Sequence, residues 1–256
     1  MAILELKNVT KSFGGITAVN NVSFSLEKGS IMGLIGPNGA GKTTIFNLIT
    51  GVYKVTSGNI IFEGKNIENM MPYKIADMGI TRTFQNIRLF KKMTVYENII
   101  TACHYNAKYG LFDAMLRLPK FKMEEKKLKE QAEMLMEILG LGDRRNTVAS
   151  NLPYGLQRRL EIARALALNP KVLLLDEPAA GMNPEETIRL TLLIKEIRDK
   201  FDLSILVIEH HMDLIMGICE NIVVLNFGQK LAEGNPSEIQ NNRSVIEAYL
   251  GEEAVC

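Results

Sequence analysis

Cysteine is scarce in this chain of 256 residues, neither sign of charge dominates, and no long apolar run interrupts it. The three cysteines, Cys103, Cys219 and Cys256, are odd in number and unclustered. That argues against a disulfide framework or a zinc site and suits a reducing cytoplasm, with structural or incidental thiols. Lys and Arg number 30 against 29 Asp and Glu, a formal net charge of +1. No general attraction to nucleic acid or anionic lipid follows, so any polyanion is expected to bind at a local site. Nowhere do about eighteen apolar residues run together, and Met1-Ala-Ile-Leu-Glu-Leu-Lys has no basic region followed by a long apolar core. The expectation is a soluble chain whose membrane role, if any, needs a separate partner. Internal repeats and low-complexity segments are also missing. What remains, 46% hydrophobic and 23% charged residues, describes a folded globular protein with a substantial core, built as one large α/β unit or two modest ones.

The chain is organised around the stretch from Ser30 to Ile49, an apolar run that turns through three glycines into a helical pattern. Gly36-Pro37-Asn38-Gly39-Ala40-Gly41-Lys42-Thr43-Thr44 has the spacing of a phosphate-binding loop. Its glycines let successive backbone N–H groups converge on one anion, Lys42 adds a point charge, and the Thr43 hydroxyl can reach Mg²⁺. The following helix points its positive end at the same phosphates.

Upstream, Val22-Ser-Phe-Ser-Leu26 alternates with period two and reads as a half-buried strand in a hairpin turned at Glu27-Lys28-Gly29. Phe13 sits in a glycine-rich turn, where an exposed ring could stack on a nucleobase or simply join the core. Downstream, residues 57–64 read as a strand and turn, and residues 79–85 as a strand ending at Gln85. From about Met93 to Gly140 helix formers take over; Leu128, Ala132, Leu135 and Leu139 make one stripe, expected to pack within an inserted helical subdomain. The α/β rhythm returns at Lys171. Residues 172–176 and 203–208 are continuous apolar runs, as parallel strands covered on both faces require. Between them Pro184 to Lys200 reads as a helix. A strand over 221–225, a Gly228 turn and a helix from Ser244 close the unit.

Asp176 and Glu177 end a buried run, and Pro178 stops the ladder there. Adjacent carboxylates at such a place are costly unless they hold a cation or a reacting water. Strand ends gather at one sheet edge, so the pair can face the phosphate loop. Asp176 would hold Mg²⁺ and Glu177 would take a proton from the attacking water. His210 falls at the equivalent edge and could orient that water against the γ-phosphate, although His211 stands beside it; His104 reads as incidental. Gln85, at another strand end, could touch Mg²⁺ or the water through its amide and report nucleotide state to the insert. Leu152-Pro153-Tyr154-Gly155 is a second glycine loop opening a helix, and thus a second anion-ready terminus. One nucleotide hardly needs two cradles from one chain, which suggests a head-to-tail dimer in which this loop covers the other copy's nucleotide.

Taken in order, the Gly36–Thr44 loop, Gln85, Leu152-Pro-Tyr-Gly-Leu156, Leu173-Leu-Leu-Asp176-Glu177, Ala180-Gly-Met-Asn183 and His210 make nearly the whole chain resemble the ATP-binding cassette family. The resemblance implies a P-loop NTPase, RecA-like α/β core with a mainly parallel sheet, an N-terminal antiparallel β subdomain and an inserted α-helical subdomain. It places the core in residues 1–90 and 165–256 and the helical part, with the signature loop, in 91–164. It further implies that Phe13 stacks on adenine, that Glu177 is the general base, and that two cassettes sandwich two ATP molecules with Mg²⁺.

The signature usually reads Leu-Ser-Gly-Gly-Gln; here Pro153, Tyr154 and Leu156 replace the serine, first glycine and glutamine. Pro153 offers neither hydroxyl nor N–H, so contacts across the dimer must rest on Gly155 and the helix end. Asn183 stands where an aspartate is usual, and weak dimerisation of the isolated cassette is the expectation. Within the family, residues 11–19, 83–90, 152–155 and 177–184, with the insert around 110–119, are most similar to the ATPase subunits of branched-chain amino-acid importers. Such a subunit would lie peripherally on the cytoplasmic side of the membrane. Two transmembrane permease subunits and a second identical or closely related cassette would be its partners, with an extracytoplasmic substrate-binding protein acting indirectly and nucleic acid playing no part. A lipid or lipopolysaccharide export cassette and a non-transport switch ATPase are the alternatives.

Overall fold

The computed structural model describes the chain through residue 253, so Cys256 lies outside the described residues. The chain divides into two compact units, one comprising Met1–Arg82 with the chain from Lys171 onward, the other Thr83–Pro170.

The first unit begins with an antiparallel hairpin, β1 (Ala2–Phe13) and β2 (Ile16–Glu27). Phe13 pairs with Ile16 across Gly14-Gly15, so the hairpin turn expected at Glu27–Gly29 lies at the other end of the strand pair. Glu27–Gly29 instead carries the chain into β3 (Ile31–Ile35), whose five residues are all buried. Helix α1 (Lys42–Ile49) follows the glycine loop, and β4 (Ser57–Phe62) and β5 (Lys65–Asn66) complete a four-stranded sheet ordered β2-β1-β4-β5. Helix α2 (Pro72–Met78) starts with proline in its first turn and stops at Gly79 with φ 109°, each residue where its backbone preference places it. Strand β6 (Ile80–Arg82) ends three residues before Gln85, not at it.

The second unit is helical. Helix α3 (Val95–Cys103) opens with a reciprocal cap in which Thr94 and Glu97 bond each other's backbone N–H. The short α4 (Leu111–Met115) precedes α5 (Pro119–Ile138), which begins nine residues before the first residue of the apolar stripe, Leu128. Leu128, Ala132 and Leu135 of this helix and Leu139 at its C-cap are buried as expected, together with Met136. Helix α6 is Tyr154–Leu166. The glycine expected in a loop, Gly155, therefore sits inside the first turn of α6, with Pro153 at the cap.

The chain then returns to the first unit through β7 (Val172–Asp176), α7 (Pro184–Phe201), β8 (Ser204–Ile208), α8 (Met212–Ile218), β9 (Asn221–Asn226), β10 (Gln229–Gly234), α9 (Pro236–Gln240) and α10 (Arg243–Glu253). Its main sheet runs β10-β9-β3-β8-β7-β6, parallel throughout except for the β9–β10 edge hairpin. Strands β7 and β8 are buried at every position, which is why they read as unbroken apolar runs rather than alternation. Leu4, Leu6 and Leu26 of the first sheet, Ile45 and Phe46 of α1, and Leu174 and Leu206 of the main sheet share one core. Helix α1 and the loop before it are thereby fixed between the two sheets.

Candidate functional site

Parallel strands β3, β8 and β7 are neighbours, so the segments leaving their C-terminal ends, 36–41, 209–211 and 177–179, emerge at one edge of the sheet. The first is the glycine loop. Gly36, Gly39 and Gly41 have φ of 148°, 76° and 100°. A Cβ at Gly36 would lie 2.1 Å from the Leu225 carbonyl oxygen, and one at Gly41 2.7 Å from that of Ala18. Those two positions admit no other residue, whereas nothing lies within 4 Å of a Cβ built at Gly39. The loop is thus walled on its inner side and open on the side of Asn38, Gly39 and Thr43, all exposed, while Pro37, Ala40 and Lys42 are buried. Lys42 Nζ donates to the carbonyls of Gly36 (2.5 Å) and Pro37 (2.8 Å), holding its charge inside the loop. Thr44 follows in the first turn of α1.

A second hairpin buttresses this loop. The two-residue turn Phe227-Gly228 between β9 and β10 has φ of 44° and 76°, the conformation that tight hairpins require. Gly228 N–H donates to the Ala40 carbonyl and its own carbonyl accepts from Asn20 N–H.

At the end of β7, Asp176 is almost fully buried, and Arg82 Nη2 donates to its Oδ2 at 2.6 Å. Arg82 Nη1 donates to Asn47 Oδ1 on α1, and the guanidinium lies 5.3 Å from the Phe46 ring centroid. An arginine from the neighbouring strand β6 therefore neutralises the carboxylate, a partner that carries no local sequence signal. Glu177 has φ 46°, and its N–H donates to the Ile208 carbonyl. That turn brings its carboxylate to His210, whose Nε2–H donates to Oε1 at 3.0 Å.

No motif in the sequence points to Glu209, yet it organises this corner. It is 1% exposed. One carboxylate oxygen accepts from Ala179 N–H at 2.6 Å; the other accepts from His210 N–H at 2.8 Å and His211 N–H at 3.1 Å. The segments bearing Glu177 and His210 are thereby tied to one buried anion, satisfied by backbone donors as a buried charge must be. The only hint in the sequence is a carboxylate directly after an unbroken apolar strand.

Phe13 ends β1, partly exposed, with its ring edge-to-face on Tyr53 (centroids 5.1 Å apart) and Lys11 Nζ 4.7 Å from its centroid. Asn183 caps α7: its side chain accepts from Glu186 N–H, and Glu186 accepts from its N–H. Among the described residues no cluster of three or more His, Cys, Asp or Glu could hold a metal ion by itself. The hydroxyl of Thr43 and the carboxylate of Asp176 are hard oxygen donors of the kind Mg²⁺ takes, one or two at a time, alongside phosphate oxygens and water.

Gln85 and the 152–155 segment belong to the second unit. There Arg158, fully buried on α6, donates from Nη1 to the Phe84 carbonyl and Glu161 Oε2, and from Nη2 to the Gln85 carbonyl at 2.9 Å. Glu161 in turn accepts from Phe84 and Arg88 N–H. The backbone around Gln85 is thus gripped by the helix that Leu152-Pro153-Tyr154-Gly155 opens, which spacing alone did not reveal. Leu152 is buried, and its carbonyl accepts from Gln157 Nε2; Tyr154 is exposed.

Comparison with known proteins gives consistent likenesses. A family profile described as ABC transporter matches residues 19–180, and one described as branched-chain amino acid ATP-binding cassette transporter matches residues 229–255. The chain is 50% identical over 250 residues to the high-affinity branched-chain amino acid transport ATP-binding protein LivG of Salmonella typhimurium, covering 98% of both chains. It is 46% identical to its Pseudomonas aeruginosa counterpart BraF over the same shares, and 34% identical over 99% of both chains to the lipopolysaccharide export system ATP-binding protein LptB of Escherichia coli. Among solved structures, a nucleotide-free ATP-binding cassette from an ABC transporter superposes with TM-score 0.84 at 35% identity, over 97% of this chain and 99% of that one. The ADP conformation of the ATP-binding cassette MJ1267 of an ABC transporter gives 0.85 at 34% identity, over 98% of this chain and 99% of that one.

Proposed function

This chain belongs to the ABC transporter family, and from that premise we propose that it is the ATP-hydrolysing, energy-coupling subunit of an importer of branched-chain amino acids. The observation that carries the reading is the gathering, at one edge of a parallel sheet, of a walled glycine loop with an internal lysine and a carboxylate–imidazole pair 3.0 Å apart.

The β- and γ-phosphates of ATP lie on the open side of Gly36–Thr44, held by backbone N–H groups and the α1 N-terminus, with Lys42 moving from the loop carbonyls to the phosphates. Phe13 stacks on the adenine with its exposed face. Glu177 accepts a proton from the attacking water, and His210 holds that carboxylate in line while its ring reaches the γ-phosphate. Thr43 and Asp176, with Gln85 as the resemblance suggests, would hold Mg²⁺, which when bound supplies positive charge to the phosphates. The Arg82 contact at Asp176 keeps the carboxylate aimed until then.

A second copy, or a closely related cassette, contributes Leu152–Gly155 across the dimer, and permease subunits docked near Gln85 convert closure into transport. The subunit then sits peripherally on the cytoplasmic face of the membrane, an external binding protein acting only through the permease. The lower identity to the export protein than to the two amino-acid transport proteins favours import. The test is equilibrium binding of Mg-ATP to the purified chain and to Lys42→Ala, followed by uptake of radiolabelled leucine into vesicles containing the co-purified membrane subunits. Saturable binding lost in the variant, with ATP-dependent leucine uptake, is expected. Unchanged affinity in Lys42→Ala would remove the phosphate loop from its role.

A further inference from the structure

The segment Lys108–Met123 of the helical unit departs from the rest of the surface in two independent ways. Leu111, Phe112, Met115 and Leu116 are 82%, 74%, 70% and 64% exposed. On helix α4 and its C-cap Leu116 these occupy positions i, i+1, i+4 and i+5 and so form one face, an apolar patch of the kind that marks an interaction site. Around that face the charge is also one-sided. Lys108, Arg117, Lys120 and Lys122 are all exposed; Asp113 lies 3.7 Å from Lys120, and Glu124, which pairs with Lys127, also feels Lys108 and Lys120, so the four cations outnumber the two carboxylates around the face. In a chain balanced to +1 overall, this is a local concentration of cations around exposed apolar side chains.

The base of the segment is held firmly while its tip is bare. Tyr109 and Phe121 meet edge-to-face with centroids 5.0 Å apart. Glu125 on α5 accepts from Tyr109 OH at 2.7 Å and from His104 Nε2–H at 2.8 Å. The apolar face of α4 therefore cannot fold back by local collapse without breaking these contacts.

We propose that this tip docks on the surface of a bilayer containing anionic lipid, its apolar side chains entering the headgroup boundary and the flanking Lys and Arg side chains pairing with lipid phosphates. Cations bracketing an apolar face are the signature of an interfacial segment, and Lys and Arg can keep their charged ends in the headgroups while their stems follow the apolar side chains inward. A protein groove is the weaker fit. Five helical residues bury far less than the roughly 800 Å² per partner of a stable interface, whereas shallow insertion plus charge suffices at a lipid surface. The inference deepens the transporter reading by giving the ATPase a contact with the membrane beyond its permease. The vesicle experiment uses no nucleotide, so the two stand or fall separately.

The test is co-sedimentation of the full-length chain with vesicles of phosphatidylcholine and phosphatidylglycerol, against phosphatidylcholine alone, with solution ATPase activity measured in parallel. Partition onto the anionic vesicles is expected to exceed that onto neutral ones by about tenfold or more and to weaken with salt. Leu111→Ser with Phe112→Ser should abolish it while leaving solution ATPase activity unchanged; Lys120→Glu with Lys122→Glu should erase the preference for anionic lipid. Equal partition onto both vesicle types, or wild-type binding by the double serine variant, would overturn the proposal. So would a double serine variant that binds vesicles normally but loses stimulation by the membrane subunits, which would assign the face to protein.

Discussion

Glu177 and His210 lie on neighbouring strand ends with Nε2 of the imidazole 3.0 Å from a carboxylate oxygen. The Glu177 side chain is 15% exposed and the ring 41%. The carboxylate is therefore the sheltered member and the imidazole faces outward, the arrangement expected when one group handles the water and the other meets the phosphate.

Glu177→Gln keeps the shape and can still accept the His210 hydrogen bond, but it removes the proton acceptor. Turnover should fall by about 10²–10⁴ while ATP affinity is retained and the ATP-bound dimer accumulates. Single-turnover hydrolysis and size-exclusion chromatography with ATP read both; wild-type turnover would exclude Glu177 as the base.

Glu209→Gln probes the anion that binds the two segments together. An amide presents only one accepting oxygen, so either Ala179 N–H or the His210 and His211 pair loses its bond, each abandoned donor costing about 1–3 kcal/mol. The expectation is a kcat lowered by about tenfold or more with KM for ATP within about twofold. In a His210→Ala background the same substitution should cost far less. Equal penalties in both backgrounds would mean that Glu209 does not act through His210.

Arg82→Met removes the cation facing buried Asp176 and should destabilise the fold by about 3–5 kcal/mol, as breaking a buried pair does. Adding Asp176→Asn should restore part of that stability, because no charge is then left behind. Urea denaturation of the two variants measures the difference.

Burial pushes the Cys103 thiol up to about 11 and the Cys219 thiol up to about 12. An unfolded chain releases these protons from about pH 9 upward while the fold retains them. Their contribution to stability is therefore intact below pH 9 and is lost as pH climbs towards 11–12. At pH 8 both should resist iodoacetamide until denaturant is added, as mass spectrometry of the alkylated peptides would reveal; rapid native labelling of either would contradict its burial.

Elements buried on both faces are the most legible, because burial demands a nearly unbroken apolar run: β7 and β8, polar only at Asp176 and Ser204, lie within a residue of the bounds expected. Strand β1 was hidden by its irregularity, with Asn8 at φ 51° and register shifts along its pairing that spoil the alternation. The tight glycine loop before α1 and the place of Glu177 just past a strand end were legible because both depend on consecutive residues. Arg82 and Glu209 were not, since their importance arises from partners on another strand or loop. Gly155 misled for the opposite reason: the dihedral freedom of glycine suggests a loop, but after the fixed φ of Pro153 it is accommodated inside a helix.

The Phe227-Gly228 turn also bears on when the protein becomes competent during synthesis. The glycine loop emerges early from the ribosome, but one of its walls is the Leu225 carbonyl and one of its hydrogen bonds comes from Gly228. A nascent chain can form the first hairpin and α1, yet it has no finished nucleotide grip until almost the last strand pair has been made. Chains interrupted before that point, by truncation or stalled translation, should be unable to engage ATP, so only complete copies could compete for a place in the transporter.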